Sequence, residues 1–337
     1  MKRELQIDYL KGLAIISVIL LHSLTINQRD IIGGTYYILQ AIPVFLILAG
    51  YNTIRSYLNK GITDLNSCYE KSYLMKKFKR IVLPYIFIWI LELLILVITK
   101  QPVAITAKNL LILFIIGGWG PGGYFVALMV QFIIIIPVLY KIAQYNRYVM
   151  LITSFIISMS FEIISHYSNI SNNYYRIASF RFLFAVALGV YLALYQIKKR
   201  RLLIVGVLFS LVYITSINYF GLTLPVYNIW QSQNAPSFLW AFALVIIGLK
   251  KLPSKSKTIM GQLLGEIGRR SYHIFLCQAL YFMSLVGLTS NLKVYIATPI
   301  NVIVSIVLGL VFYQIETKFY KHIHFFGRNK EKKVVAQ

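Results

Sequence analysis

Acidic residues are scarce in this sequence. Only 10 of its 337 residues are Asp or Glu, and charged residues of both signs make up 13% of the chain. Hydrophobic residues account for 58%, and the mean hydropathy is +0.70. This composition excludes an ordinary soluble domain, whose surface needs far more charge. Repeated apolar runs of about 20 residues instead indicate an all-α, polytopic membrane protein.

Cysteine and histidine are also rare, which limits the chemistry open to the chain. Cys68 and Cys277 are too far apart in sequence to indicate a disulfide framework. The five histidines are scattered, and the tail pair His322 and His324 has no acidic or cysteine companions. The Gly-rich stretch 117–123 lacks the Gly-Lys-Ser/Thr of a phosphate-binding loop. We therefore predict no metal and no bound cofactor.

Basic residues are abundant, and their placement predicts a topology. With ten spans and a cytoplasmic amino terminus, 27 of the 34 Lys and Arg fall in the inner segments. Such asymmetry follows the positive-inside rule and puts both termini in the cytoplasm. The basic excess then serves contact with membrane lipids rather than nucleic acid. The predicted spans are 7–26, 36–57, 81–99, 123–140, 148–167, 178–196, 202–220, 237–249, 271–289 and 294–315.

The segments between the spans indicate a single membrane domain over 1–337, with a basic cytoplasmic tail at about 317–337. The inner segments 59–80 and 317–333 are long enough for amphipathic helices on the membrane surface. The apolar piece Asn109–Gly118 is too short to span and predicts a short interfacial or re-entrant helix. We expect the span at 237–249 to begin earlier, in the uncharged stretch after Gly221.

The first span carries ionisable residues that a simple anchor would not have. Asp8, Lys11 and His22 share one face of a helix, and Lys11 and His22 are separated by about 16 Å of rise. Such residues in a spanning helix are functional candidates, because burying them in lipid is costly. Alternatively, Asp8 and Lys11 form an ion pair at the inner interface, and His22 bonds to a backbone carbonyl.

A second group of polar residues is predicted to lie toward the outer side of the membrane, as His22 is. Glu162 and His166 are four residues apart on one helix face, and Arg181 follows after a short loop. A base, a carboxylate and a guanidinium in one cavity would suit deprotonation of a hydroxyl and stabilisation of an oxyanion. The alternative is a structural ion pair between Glu162 and Arg181. We interpret Glu316, beside the basic tail, as a structural partner of Lys or Arg.

Six short motifs occur in an order that resembles the acyltransferase family 3 membrane proteins. Each is weak alone, but together they cover nearly the whole chain. They are Lys11 with His22 eleven residues later, Phe45-Leu-Ile-Leu-Ala-Gly-Tyr51, Lys76-Lys-Phe-Lys-Arg-Ile-Val-Leu-Pro-Tyr85, Gly123-Tyr-Phe-Val-Ala-Leu128, Leu264-Gly-Glu-Ile-Gly-Arg-Arg-Ser-Tyr-His-Ile-Phe-Leu276, and Tyr313 with Glu316.

The resemblance implies an O-acyltransferase that moves an acyl group, most often acetyl, from cytosolic acyl-CoA to a hydroxyl of an extracytoplasmic glycan or glycolipid. It assigns the basic residue, here Lys11 with Asp8 beside it, to the acyl-CoA and His22 to catalysis. Our mechanistic hypothesis makes His22 the general base, with Glu162 orienting it and Arg181 at the oxyanion; a covalent acyl-histidine is the variant.

The same resemblance carries expectations about the acceptor, the location and the partners. Tyr124, His166 and Trp119 are our candidate acceptor-binding residues, since aromatic rings stack on sugars. The protein is expected to be a multi-pass protein of the cell (plasma or inner) membrane, with glycan-assembly proteins as possible partners.

Two positions depart from the family pattern. Lys11 stands where Arg is common, which keeps the charge but loses the bidentate fork. Gln278 stands where the family often has a histidine shortly after the Ser-Tyr element.

Two other classes of function compete with the enzyme. A transporter or exporter of a glycan or lipid-linked substrate would use the intramembrane charges without bond chemistry, and it predicts flux without CoA release. A purely structural or regulatory subunit would leave the Lys11–His22 stripe unexplained.

Overall fold

The computed structural model describes residues 4–100, 106–256 and 258–334. Within these residues the regular structure is entirely helical, which confirms the all-α class. Five short 3-10 helices lie at Gly34–Tyr36, Ser179–Phe182, Asn228–Gln233, Ala235–Ser237 and Val286–Thr289. The α-helices are α1 (Leu5–Ser23), α2 (Ile26–Ile31), α3 (Ala41–Asn59), α4 (Leu65–Cys68), α5 (Lys71–Ile98), α6 (Ala107–Ile116), α7 (Tyr124–Tyr145), α8 (Arg147–Tyr167), α9 (Asn172–Ile177), α10 (Leu183–Leu194), α11 (Arg200–Tyr219), α12 (Phe238–Lys251), α13 (Ile259–Arg269), α14 (Ser271–Ser284) and α15 (Val294–Val334).

Each of the ten predicted spans corresponds to one helix, but the helices differ in length. In the described part of the chain, seven helical segments are long and apolar enough to cross a membrane, and they contain α1, α3, α5, α7, α8, α11 and α15. The other three, α10, α12 and α14, have 12, 14 and 14 residues. At 1.5 Å per residue these are shorter than the roughly 30 Å hydrocarbon core. Most of their residues are buried by the surrounding helices, so they need not match the thickness of the lipid.

The expected early start of the span at 237–249 is wrong. The helix begins at Phe238, and the residues before it form 3-10 turns that include Pro236. Buried side chains bind the carbonyls of these turns. Gln40 Nε2 donates to the Ser232 carbonyl at 3.1 Å, and Arg181 Nη2 donates to the Gln233 carbonyl at 3.2 Å. Side chains therefore satisfy backbone groups that a longer helix would have satisfied internally.

The amphipathic surface helices predicted at 59–80 and 317–333 do not form as separate helices. The segment 59–80 is not one helix, because α3 ends at Asn59 and the basic residues from Lys71 onward begin the 28-residue α5. The tail continues the last span, since α15 is a single helix of 41 residues. In contrast, the short helix predicted near 109–118 is confirmed as α6, which is followed by a glycine-rich loop at 117–123.

The helices pack closely where glycines face backbone. A Cβ atom on Gly50 of α3 would lie 2.5 Å from the Val186 carbonyl oxygen of α10. Gly268 of α13 is pressed in the same way against the backbone of Asp8 in α1. Small residues at such crossings let backbones approach, as is usual for membrane helices. The contact at Gly268 holds α13 beside the first half of α1.

Side-chain contacts show which helix ends lie together. Arg55, near the end of α3, forms an ion pair of 2.8 Å with Glu4, which precedes α1. At the other side of the bundle, Trp240 Nε1 donates to the carbonyl of Tyr36 at 2.6 Å. We call the side where α1 begins the amino end and the other side the opposite end. Lys11 lies toward the amino end, and His22 lies at the opposite end.

Candidate functional site

A cavity of about 1180 Å³ lies among α1, α3, α5, α7, α13, α14 and α15. It reaches from Thr317 and Tyr320, toward the amino end, to Phe45 and Phe125, near the starts of α3 and α7. Its volume lies somewhat above the range of typical small-molecule sites, about 300–1,000 Å³. The cavity is therefore large enough for a nucleotide-sized ligand.

All six motifs of the sequence analysis contribute to the wall of this cavity. Lys11 comes from the first motif, and the second to sixth supply at least one lining residue each. Segments hundreds of residues apart are thus brought to one place by the fold. Taking one lining residue from each motif in order, the cavity wall contains Lys11, Phe45, Arg80, Phe125, Arg270 and Tyr313.

Basic side chains outnumber acidic ones in the cavity wall. The bases are Lys11, Lys77, Arg80, Arg269 and Arg270, and the acids are Glu266 and Glu316. Both acids are engaged: Glu266 pairs with the two neighbouring arginines, and Glu316 pairs with His273. The remaining positive potential suits a ligand with several negative charges.

Aromatic rings hold some of these cations in place. Lys77 Nζ donates to Thr53 Oγ1 at 3.3 Å and lies 4.7 Å from the centre of the Tyr73 ring. The Arg270 guanidinium lies 4.6 Å from the centre of the Tyr313 ring. Cation–π contacts of this kind fix a charge without neutralising it. Lys77 therefore keeps its charge for a ligand, whereas Arg270 shares its charge with Glu266.

Of the two residues predicted to bind the donor, Lys11 lines the cavity and Asp8 does not. Asp8 is buried, with 4% of its surface exposed, where α1 meets α13. The Lys11 side chain is half-buried. Only Lys11 can therefore contact a ligand in the cavity directly.

His22 lies outside the cavity wall. Its ring packs against that of Phe282 in α14, with 5.7 Å between the ring centres. The charge of Arg29, in the short helix α2, lies close enough to act on it. Lys11 and His22 are thus placed at different depths along α1, as their spacing predicts, with the cavity beginning at Lys11.

Glu162 and Arg181 meet in a fully buried cluster. Arg181 Nε lies 3.4 Å from Glu162 Oε1, and both side chains are at most 1% exposed. The Tyr175 hydroxyl donates to the Glu162 carboxylate at 2.7 Å and 2.9 Å, and its ring lies 4.7 Å from the Arg181 guanidinium. These partners connect α8, α9 and the 3-10 turn before α10. This arrangement corresponds to the structural ion pair given as the alternative in the sequence analysis.

The predicted acceptor residues do not form one group with this cluster. Tyr124, at the start of α7, is buried and lies beneath Arg176, with 5.8 Å between the guanidinium and the ring centre. His166 is half-buried and packs edge-on against Tyr167 at 5.1 Å. Glu162, one helical turn before His166, is instead held by Tyr175 and Arg181.

Trp119 belongs to the glycine-rich loop, which Glu92 anchors. The backbone N–H groups of Trp119 and Gly120 donate to the Glu92 carboxylate at 3.0 Å and 3.2 Å. The Trp119 ring stacks on Trp89, with 6.2 Å between ring centres. Gly118, with φ of +86°, passes so close to Glu92 that a Cβ atom would clash with the carboxylate. Glu92, the buried acid of α5, therefore has a structural role, because its carboxylate binds the backbone of this loop.

The pairing of Glu316 with His273 differs from the expected pairing with Lys or Arg. Besides Lys11, the cavity wall contains five Lys, Arg or His residues, none of which was among the predicted site residues: Lys77, Arg80, Arg269, Arg270 and His273. All five lie within the motifs quoted above, so the signal was present in the sequence. Among the described residues, no three His, Cys, Asp or Glu side chains come together as a metal ion would need.

The chain is a polytopic helical membrane protein with a cation-lined cavity. Residues 4–313 match the acyltransferase family 3, described as an acyltransferase domain. The match runs from the start of α1 into α15, so the chain belongs to this family and is a membrane acyltransferase. No curated protein and no solved structure matches the chain.

Proposed function

We propose that the protein transfers an acyl group, acetyl in the simplest case, from cytosolic acyl-CoA to a hydroxyl of an extracytoplasmic glycan or glycolipid. It acts in the cell membrane, with the amino end of the bundle facing the cytosol. The observation that carries the proposal is the convergence of all six motifs on one cation-lined cavity beginning at Lys11. The excess of Lys and Arg in the inner segments supports the orientation.

The cavity suits the anionic half of the donor. Acyl-CoA carries phosphate groups, and Lys and Arg bind phosphate through short, charge-assisted hydrogen bonds. Lys11, Arg80 and Arg270 are the cavity cations that we assign to this role. Tyr313 and Tyr320 supply flat surfaces for the adenine ring in the same cavity. The acyl end of the donor would then point toward the opposite end of the bundle.

We assign His22 the role of general base toward the acceptor. A ring nitrogen of neutral His22 removes the proton from the acceptor hydroxyl, whose oxygen attacks the thioester carbonyl. The new C–O bond forms a tetrahedral intermediate, the C–S bond then breaks, and the imidazolium returns the proton to the departing thiolate. The products are an ester and free CoA, so atoms and charge balance.

We assign Glu162 and Arg181 to positioning rather than to contact with substrate. Their mutual ion pair and the Tyr175 hydrogen bonds already occupy the carboxylate, and both side chains are buried. They connect α8 to α9, the helix that carries Arg176, whose guanidinium lies over the Tyr124 ring. Tyr124 and Arg176 are therefore our candidates for the acceptor, with His166 and Trp119 as predicted residues further out.

The test measures thiol release from acetyl-CoA by the purified protein in vesicles, with and without a candidate glycan. The proposal predicts release that depends on the acceptor and a matching mass increase of the glycan. Acceptor flux across the membrane without thiol release would overturn it and favour the transporter.

A further inference from the structure

Three phenylalanine rings line the part of the cavity that lies toward the opposite end of the bundle, the end at which His22 lies. Phe45, Phe125 and Phe275 all line the cavity. Phe125 is central, with its ring centre 5.9 Å from that of Phe45 and 5.1 Å from that of Phe275. We call these residues the phenylalanine triad. A donor bound in the cavity must extend past the triad to bring its thioester to His22.

One face of α14 connects the triad to His22. Phe275, Gln278 and Phe282 are spaced three and four residues apart, so they lie along the same side of the helix. Phe282 contacts the His22 ring, and it lies about 10 Å along the axis from Phe275. Gln278 is therefore located between the end of the cavity and the base.

Gln278 is buried with an unused hydrogen-bond acceptor. Its side chain is 0% exposed, and its Nε2 donates to the carbonyl of Pro121 at 3.2 Å. Its Oε1 has no hydrogen-bond partner among the described residues. A buried polar atom in this condition is unfavourable and calls for an explanation, of which a ligand is one. No other described polar group on this face of α14 donates a hydrogen bond to Gln278 Oε1.

The glycine-rich loop covers Gln278 with backbone only. Gly122 has φ of +88°, and a Cβ atom at this position would lie 3.4 Å from the Phe275 ring and 3.7 Å from Gln278 Nε2. The loop is fixed at its other side by Glu92 through Trp119. A side chain in place of Gly122 would press on the Phe275 ring and strain the loop backbone, so glycine lets the loop pass directly over this face of α14.

We propose that Gln278 binds the thiol-bearing arm of the donor, its Oε1 accepting a hydrogen bond from an amide N–H of that arm. The inference rests on the proposed function, in which the nucleotide half of acyl-CoA occupies the cavity. The arm of CoA is a narrow chain that contains amides, and it leads from the phosphates to the sulfur. It passes the phenylalanine triad and lies along α14 beneath Pro121 and Gly122. Gln278 is then a positioning residue that recognises an amide-bearing thioester.

The test compares two probes that share the nucleotide half, CoA and adenosine 3′,5′-bisphosphate, by equilibrium binding to the purified full chain. Gln278→Met keeps the size of the side chain and removes the acceptor. We expect it to bind CoA about tenfold more weakly, the effect of one hydrogen bond. Its affinity for the bisphosphate should equal that of the wild type, which also reports correct folding. Gln262→Leu, at an exposed position of α13, is the control and should change neither affinity.

A second measurement changes the ligand instead of the protein. Wild-type protein is given a CoA analogue in which the amide nearest the sulfur is replaced by an ester, which has no N–H. The inference predicts about tenfold weaker binding of this analogue than of CoA, and equal binding of both by Gln278→Met. If the wild type binds CoA and the analogue equally, the assignment of Gln278 is wrong while the donor cavity stands. If it binds neither CoA nor the bisphosphate, the proposed function fails as well.

Discussion

The cation-lined cavity and the Glu162–Arg181 cluster contain the same kinds of side chain in opposite settings. In the cluster, one acid and one base meet at 3.4 Å with essentially no exposure, and Tyr175 completes the carboxylate. In the cavity, five bases face two engaged acids across about 1180 Å³ of space. Closed pairing holds helices together, whereas an excess of positive charge beside a cavity attracts an anionic ligand.

The pairing and exposure of an ionisable side chain indicate whether it has a structural or a functional role better than its position in the sequence does. Glu162, Arg181 and Lys11 all qualify as intramembrane ionisable residues, which are functional candidates by default. Only Lys11 is open to a ligand-sized cavity. Variants in the two regions should therefore differ in what they damage, stability in the cluster and donor binding in the cavity.

The largest effect is expected for Arg181→Leu. It leaves the Glu162 carboxylate buried without its charge partner, and the unfolding free energy should fall by about 3–5 kcal/mol. Thermal unfolding in detergent measures the loss. The double variant Glu162→Gln with Arg181→Leu should recover much of it, because no buried charge remains. A single variant that unfolds like the wild type but loses activity would place Arg181 in the catalytic site instead.

The cavity counterpart is Arg80→Met. Arg80 is exposed at the cavity wall, so stability should change by less than about 0.5 kcal/mol. Affinity for acetyl-CoA should fall about 10- to 100-fold, because one charge-assisted hydrogen bond to phosphate is lost. Lys108→Met, at an exposed position of α6, is the matched control. Equal loss of affinity in both variants would show that only bulk charge matters.

Salt should also distinguish the two regions. Raising the ionic strength from about 0.05 M to about 0.5 M shortens the screening length and should weaken acetyl-CoA binding several-fold. The contribution of the Glu162–Arg181 pair to thermal stability should stay the same, because a buried pair is screened far less. Donor binding that is insensitive to salt would argue against the cavity cations as phosphate ligands.

The smallest effect is expected for Glu316→Gln. Glutamine can still bond to His273, while one negative charge leaves the cavity wall. Donor affinity should rise by roughly two- to fivefold, in line with about 0.5–1 kcal/mol for a partly exposed charge. Titration with acetyl-CoA tests the sign. Weaker binding in this variant would indicate that the Glu316–His273 pair itself orients the donor.

The apolar runs were sufficient to predict the helices, because a membrane helix needs a long hydrophobic segment and little else. They did not predict that α12 starts only at Phe238. There, Gln40 and Arg181 satisfy backbone carbonyls from distant parts of the chain, which no local pattern reveals. The continuous α5 and α15 were likewise missed, since charge alone does not show whether a helix bends onto the membrane surface.

The candidate site was predicted in part. Helix periodicity placed Lys11 and His22 at different depths of α1, and the short loop between Glu162 and Arg181 made their contact foreseeable. The meeting of Arg80, Arg270 and Lys11 depends on α13 packing against α1 at Gly268, a tertiary contact without a local signature. For the same reason, the pairing of His273 with Glu316 was not predicted.

In the proposed function, donor binding and chemistry are divided along α1, with binding at the Lys11 end and proton transfer at His22. The most direct measurement uses His22→Ala in vesicles supplied with labelled acetyl-CoA and an acceptor glycan, and follows donor affinity and label transfer together. We predict that this variant binds acetyl-CoA as tightly as the wild type and transfers no label to the glycan. Transfer at the wild-type rate by His22→Ala would contradict the account.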